Sequence, residues 1–308
     1  MERERYRDKK PAATDDRTGI ADLRKPNSVG QSFGKRIESI METDIFYPGG
    51  KLSKKERLKR KFFHKREPVM QMVVEGLTAL TAPTIKVGGK ENLKKAIETN
   101  QGRNIVFIAN HLSNFDASAI LQVLRRTGFG EIAEKLIFLQ GIKLNKTPVA
   151  NILLQGFNVI PVWPPTLTPK NKEEEEKRMA LTRESLIDAK KALKQGYNLL
   201  IFAEGGRSRD GTLGEAEPAI TSYLTLEPGT QVVPVAISGT EEALPPGGII
   251  PRPSVKIRVD FGKPIDIASL MTEYKNISHH ERKKRIMDLT MRNIAKLLPA
   301  KYRGTSYS

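Results

Sequence analysis

The chain has 308 residues, 38% of them hydrophobic and 28% charged, with 52 Lys and Arg against 35 Asp and Glu, a formal net charge of +17. This length and balance fit a globular core with room for a smaller appendage, and the positive excess points to a polyanionic partner: nucleic acid, an anionic membrane surface or acidic substrates. The absence of cysteine excludes disulfides, thiolate metal sites and a cysteine nucleophile.

Residues 1–32 are polar and rich in charge, Pro, Gly and Asp, without periodicity, and read as a flexible N-terminal segment. The opening stretch lacks the apolar region of a secretory signal, and no run reaches the about 18 apolar residues of a membrane span. The expectation is a cytoplasmic protein that meets a membrane only peripherally. Residues 33–83 read as a basic, amphipathic helical segment. It comprises a short helix over 33–47, a turn at 47–50, and nine Lys or Arg between Lys51 and Arg66, with Leu52, Leu58, Phe62 and Phe63 among them. After Pro68 comes a helical pattern at Met70, Val73, Val74, Leu77 and Leu80. Two readings of this segment stay open: a helical subdomain packed on the core with a solvated basic face, or a membrane-facing basic helix.

From 84 to 308 strands and helices alternate. Strands are expected at 104–110, 135–141, 157–162, 197–203, 231–238 and 254–262. Helices are expected at 116–128, around Thr147 to Leu154, at 171–196 with Gly196 as its C-cap, and from about Ser278 to Leu298. The last has Ile286, Met287, Ile294, Leu297 and Leu298 on one face, which suits a lipid surface. Alternation of this kind implies an α/β domain: a mixed, largely parallel sheet covered by helices, with the helical segment ahead of it.

Three stretches at strand ends carry chemistry, and strand carboxyl ends are where open α/β sheets keep their ligand sites. In "NHLSNFD" (110–116), His111 follows a buried strand and Asp116 opens the next helix. A carboxylate there can hold one ring nitrogen while the other faces substrate. The plainer alternative makes Asp116 a helix cap and His111 a packed edge residue. In "IFAEGGRSRDGT" (201–212), a glutamate, two glycines and two arginines form a loop suited to a phosphate or a developing oxyanion. The alternative is a surface turn in which Glu204 and Arg207 pair in solvent. "VVPVAISGT" (232–240) then delivers a Ser-Gly-Thr turn to the same edge.

Together these stretches resemble the glycerolipid acyltransferase family, the enzymes that acylate glycerol-3-phosphate and lysophosphatidate. Asn110 to Asp116 matches that family's N-H-x-S-x-x-D block. Phe202 to Ser208 is similar to its F-P-E-G-T-R-S block, with Ala203 and Gly206 as departures. Val233-Pro234-Val235 matches its V-P-V block. The likeness covers about residues 84 to 265.

The resemblance implies that His111 is a general base, taking the proton of an acceptor hydroxyl as it attacks an acyl thioester, and that Asp116 orients it. It implies that Asn110, Ser113, Glu204, Gly205, Gly206, Arg207 and Arg209 form the acceptor site. Arg207 would hold the phosphate, and the backbone N–H groups near Gly205 and Gly206 would be candidates for oxyanion contact. The stretch 156–163 has no arginine where many members carry one, so Arg209, Lys170 or Lys172 would supply further phosphate contacts. No metal or resident cofactor is implied, and acyl-CoA or acyl carrier protein brings the acyl group. The expected reaction acylates lysophosphatidate to phosphatidate on an anionic membrane. The alternative acceptor is glycerol-3-phosphate, since the long loop and helix after the third strand are similar to those of soluble plastid-type enzymes. A reading of another class, a basic nucleic-acid- or lipid-binding protein without catalysis, has only 6% aromatic residues and no Gly-aromatic pattern behind it; no nucleic-acid partner is expected.

Overall fold

The protein is described by a computed structural model over residues 63–100, 104–142, 152–245, 248, 251–305 and 307. The expectations for 1–32, for the helix at 33–47, for the basic run up to residue 62 and for the beginning of the helix near Thr147 lie outside these residues.

Among the described residues, eight strands form one sheet. Its order is β1 (Ile85–Gly88), β7 (Ile257–Phe261), β6 (Gln231–Ser238), β2 (Ile105–Ala109), β5 (Asn198–Phe202), β3 (Leu136–Gly141) and β4 (Asn158–Val162), with β8 (Ile265–Asp266) paired to β6 off that path. β2 runs parallel to both β5 and β6, β3 parallel to β4 and β5, and β1 parallel to β7. Only β7 and β8 run antiparallel to β6. This is the mixed, largely parallel sheet that the alternating sequence pattern calls for, because parallel neighbours need long crossovers and helices fill them.

Helices cover both faces: α1 (Pro68–Thr81), α2 (Lys90–Asn100), α3 (Asp116–Arg126), α4 (Lys172–Lys194), α5 (Ile267–Glu273) and α6 (His279–Leu297). Strand β2 shows the two-sided burial most simply. Ile105, Phe107 and Ala109 pack with Leu93 and Ala96 of α2 and with Ile120 and Leu124 of α3. Val106 and Ile108 pack on the other face with Ala189 and Leu193 of α4 and with Ile286 and Ile294 of α6. Alternate residues along a strand point to opposite faces, so a strand buried on both sides reads as an unbroken apolar run.

Helix ends follow their sequence signals. Asn171 Oδ1 accepts the Glu174 N–H at 2.9 Å to begin α4, with Glu173, Glu174 and Glu175 in the favourable first turn. Gly196 ends it, with Tyr197 N–H donating to the Ala192 carbonyl at 3.0 Å and Gly196 N–H to that of Leu193 at 2.9 Å. Ser278 Oγ accepts from Glu281 N–H at 3.1 Å to start α6. Strand β1 and helices α2 and α5 have no counterpart among the sequence expectations. β1 is four residues long, and α2, KENLKKAIETN, offers few apolar positions from which to read a period.

Two amphipathic readings are corrected. Ile286, Met287 and Ile294 of α6 and Leu298 just beyond it are buried in the core, so that face covers the sheet rather than a membrane. In α1 the expected apolar set divides. Met70 and Val74 are buried, whereas Val69, Met72, Val73, Leu77 and Leu80 form an outward stripe, three of them more than 70% exposed. The end of the basic run also packs inward. His64 exchanges backbone hydrogen bonds with Val159 of β4 at 2.9 and 3.0 Å, Phe63 meets the Tyr197 ring edge-on at 5.0 Å, and Arg66 pairs with Glu134. The His64 bridge covers part of the free edge of β4, which would otherwise be an open template for pairing.

Candidate active site

Strands β6, β2 and β5 lie side by side and parallel, with Ala109 in register with Phe202 on one side and Val235 on the other. The loops at their carboxyl ends must therefore meet. Pairing continues past the end of β2 by two devices. On one side Ala203 N–H donates to the Ala109 carbonyl at 2.8 Å and Ser208 N–H to the His111 carbonyl at 2.7 Å. The first of these bonds needs an N–H, which the alanine supplies and a proline would not. On the other side Asn110 Nδ2 donates to the Ile237 carbonyl at 3.0 Å, and its Oδ1 accepts from Ile237 N–H at 2.8 Å. The Asn110 side chain thus imitates a backbone unit where β2 has turned away.

That turn delivers His111 next to Asp116. His111 Nδ1 lies 2.8 Å from Asp116 Oδ2, which also accepts the N–H groups of Leu112 at 2.8 Å and Ser113 at 3.0 Å. The Thr240 hydroxyl bonds the other oxygen, Oδ1. Donors converge on both oxygens of a fully buried carboxyl, so it acts as acceptor and Nδ1 must carry the shared hydrogen. Nε2 is then the lone-pair nitrogen, and it has no partner among the described residues. The ring stacks on Phe202, centroids 4.0 Å apart and planes 12° from parallel, and the side chain keeps 16% of its exposure. A ring clamped at Nδ1 and on its face, with Nε2 open, can take up and return one proton. Asp116 is not the helix cap of the plainer reading: its carboxyl makes no cap bond to the first turn of α3.

Glu204 joins the two loops. Its Oε1 accepts His111 N–H at 2.9 Å and its Oε2 accepts Gly214 N–H at 3.1 Å. Burial raises this carboxyl above its ordinary value, opposed by those two N–H donors. The solvent pairing of Glu204 with Arg207 is therefore not what forms, and Glu204 braces the loop from within. Gly205 sits at φ +64°, and a Cβ there would lie 2.6 Å from Pro165 Cγ, so this position needs glycine. Its N–H donates to the Phe202 carbonyl at 3.1 Å, which removes it as an oxyanion donor; the Gly206 N–H makes no hydrogen bond among the described residues. Thr166, in the loop after β4, closes over Gly206, where a Cβ would meet Thr166 Cγ2 at 3.2 Å.

Arg207 and Arg209 are exposed and without an ion-pair or hydrogen-bond partner among the described residues. Asp210, the nearest acid in sequence, is engaged by Thr212 N–H and Oγ1, both at 2.9 Å, and by Ser208 Oγ at 3.1 Å. The structure thus brings His111, Asp116, Glu204, Gly206 and Arg207 to one edge. Two residues expected at the acceptor turn their polar atoms inward in this structure. Asn110 is buried and holds β6, and Ser113 is buried with its hydroxyl donating to the Leu244 carbonyl at 2.7 Å and accepting from Phe115 N–H at 3.2 Å. Both shape the loop from inside. Lys170 and Lys172 are exposed at the far end of the loop and the start of α4. Sequence reading passed over Thr240 and Phe202, although both stand in the stretches it singled out.

An α/β sheet whose central strands present a buried-carboxylate–histidine pair beside an arginine-bearing glycine turn defines the class. The sequence model of the Acyltransferase family matches residues 84–238, half of the chain, and the chain belongs to that family. Over 142 residues it is 36% identical to a chloroplastic glycerol-3-phosphate acyltransferase of Cucurbita moschata, covering 42% of this chain and 29% of that protein. Over 183 residues it is 27% identical to a chloroplastic 1-acyl-sn-glycerol-3-phosphate acyltransferase of Arabidopsis thaliana, covering 59% of this chain and 43% of that protein. The chain therefore spans less than half the length of these curated relatives. A solved 1-acyl-sn-glycerophosphate (LPA) acyltransferase from Thermotoga maritima superposes with a TM-score of 0.45 at 22% identity, covering 87% of this chain and 96% of that one.

Proposed function

We propose that the protein transfers a fatty acyl group from an acyl thioester to the free hydroxyl of a glycerol phosphate, with lysophosphatidate as acceptor and phosphatidate as product. The observation that carries this is the 2.8 Å bond from His111 Nδ1 to the buried Asp116, which leaves Nε2 open. Nε2 takes the acceptor proton as the hydroxyl oxygen attacks the thioester carbonyl. The tetrahedral intermediate collapses with loss of the thiolate, and the imidazolium returns the proton to that sulfur. No covalent acyl-enzyme forms. Arg207, one residue from the Ser208 N–H that bonds the His111 carbonyl, supplies for the acceptor phosphate a guanidinium without a partner among the described residues, and Arg209 adds charge beside it. No bound metal or cofactor takes part in these steps; the acyl group arrives on coenzyme A or on acyl carrier protein.

The outward apolar stripe of α1 supports a lipid acceptor. It follows directly on a run of nine Lys or Arg between Lys51 and Arg66, and an apolar stripe beside a basic run is the pattern of an interfacial helix on an anionic bilayer. Among the described residues no helix is long and apolar enough to cross a membrane. Glycerol-3-phosphate is the second reading, favoured by the 36% identity to the Cucurbita moschata enzyme. Initial rates with each acceptor, each offered acyl-CoA and acyl carrier protein thioesters, decide between them. A clear excess with lysophosphatidate is expected; an excess with glycerol-3-phosphate reverses the choice, and no transfer with any pair removes the reading.

A further inference from the structure

The His111–Asp116 pair is completed by a residue from a distant part of the chain. Asp116 Oδ2 is held by three donors from its own loop, but Oδ1 is held by the Thr240 hydroxyl, 124 residues further along. Thr240 is fully buried and opens a four-residue helix, Thr240–Ala243, directly beyond β6.

The backbone around it is determined on several sides. Gly239 stands at φ +88°, where a Cβ would lie 2.2 Å from the Lys256 carbonyl oxygen, so the turn between β6 and Thr240 accepts glycine alone. Leu244 N–H closes the helix on the Thr240 carbonyl at 3.0 Å, and the Leu244 carbonyl accepts the Ser113 hydroxyl from the histidine loop. Next to Thr240, Glu241 Oε1 accepts the hydroxyl of Tyr302 at 2.7 Å, which fastens the end of the chain to the same turn. The Thr240 hydroxyl is thus presented to Asp116 by a rigid support.

We infer that Thr240 is a positioning residue for the His111–Asp116 pair, an inference that rests on the reading of His111 as the base. A carboxylate can rotate about its Cβ–Cγ bond, and every rotation takes Oδ2 away from Nδ1. With Oδ1 bonded to Thr240 that rotation is blocked, and Nε2 keeps one direction toward the acceptor hydroxyl. The bond also satisfies an oxygen that would otherwise be buried bare. Loss of the hydroxyl should therefore weaken proton transfer without altering how either substrate is held.

The test compares Thr240→Val, which keeps the shape and loses the hydroxyl, with Thr240→Ser, which keeps the hydroxyl, in the full chain. Thr240→Val is expected to lower kcat by ~10- to 100-fold, the range for a lost hydrogen bond to a charged group, with both KM values within about twofold. Thr240→Ser should stay within about threefold of the parent. The acid limb of the kcat profile, with Asp116 and Glu204 as the carboxylates beside the ring, should move by about half a pH unit or more in Thr240→Val. Thr240→Ala, which leaves room for a water at the vacated position, serves if the valine variant does not fold, and should show the same displacement of that limb. Unchanged kcat and an unmoved limb in Thr240→Val or Thr240→Ala, beside a dead His111→Ala, overturn the role of Thr240 alone. An active His111→Ala protein overturns the base itself.

Discussion

The two loops that meet at the sheet edge differ in one respect. In 110–116 the side-chain polar atoms of Asn110, Ser113 and Asp116 are bonded within the protein and buried, while His111 Nε2 has no partner among the described residues. In 205–210 the two arginines stand in solvent without partners among the described residues. The first loop has lost its freedom before any substrate arrives, as proton transfer at a fixed distance requires. The second retains long, mobile charges, as capture of a phosphate from solution or from a bilayer requires.

The largest effect should come from the open nitrogen. His111→Ala is expected to lower kcat by at least ~10²-fold, the usual cost of a lost general base, with the protein still folded; full turnover would end the proposed mechanism. Asp116→Asn attacks the buried side of the same loop. An amide must turn an N–H toward one of the donors now held by the carboxylate, so the change should reduce kcat and also destabilise the fold by ~1–3 kcal/mol, the cost of an unmatched buried group. Denaturant unfolding beside steady-state kinetics reads both, and a change in only one of them would separate support from chemistry.

On the exposed loop the effects should be smaller and confined to binding. Arg207→Lys loses the planar fork, and the acceptor KM should rise ~10-fold while the donor KM hardly moves. Equal changes in both would assign Arg207 to loop structure. Glu204 lies between the loops and gives a pH signature. Its carboxyl is raised by burial in the folded protein, so the folded state holds that proton more tightly than the unfolded chain does. Its contribution to stability is complete below the ordinary value of 4.5 and is lost as pH rises through the folded value. Glu204→Gln should flatten that segment of the stability–pH curve, and an unaltered slope would exclude Glu204 as its source.

The smallest effect on the fold is expected at α1. Met72 and Leu80 are exposed, so Met72→Glu with Leu80→Glu should leave stability within ~0.5 kcal/mol for each. The same pair should sharply reduce cosedimentation with phosphatidylglycerol vesicles, which the parent should leave at high salt. Equal binding of parent and variant would place the lipid contact elsewhere, and strong binding to nucleic acid with none to vesicles would restore the nucleic-acid alternative.

Local pattern alone determined much of this protein. The apolar runs located β2 through β7, the spans 171–196 and 278–298 with Gly196 as a cap bounded α4 and α6, and the blocks at 110–116 and 202–208 marked the two loops that the structure brings to one edge. Those signals are legible because periodicity, capping and a five-residue spacing act between near neighbours. What tertiary structure decided is which surface each side chain finds. Helices α1 and α6 carry similar apolar stripes, yet α6 buries its stripe under the sheet and α1 turns one outward. Asn110 and Ser113, expected at the acceptor, bond inward to Ile237 of β6 and to Leu244. Thr240 reaches Asp116 only because two parallel strands with 124 residues between their loops end at one edge. Sequence separation says nothing about such contacts; the order of the strands creates them.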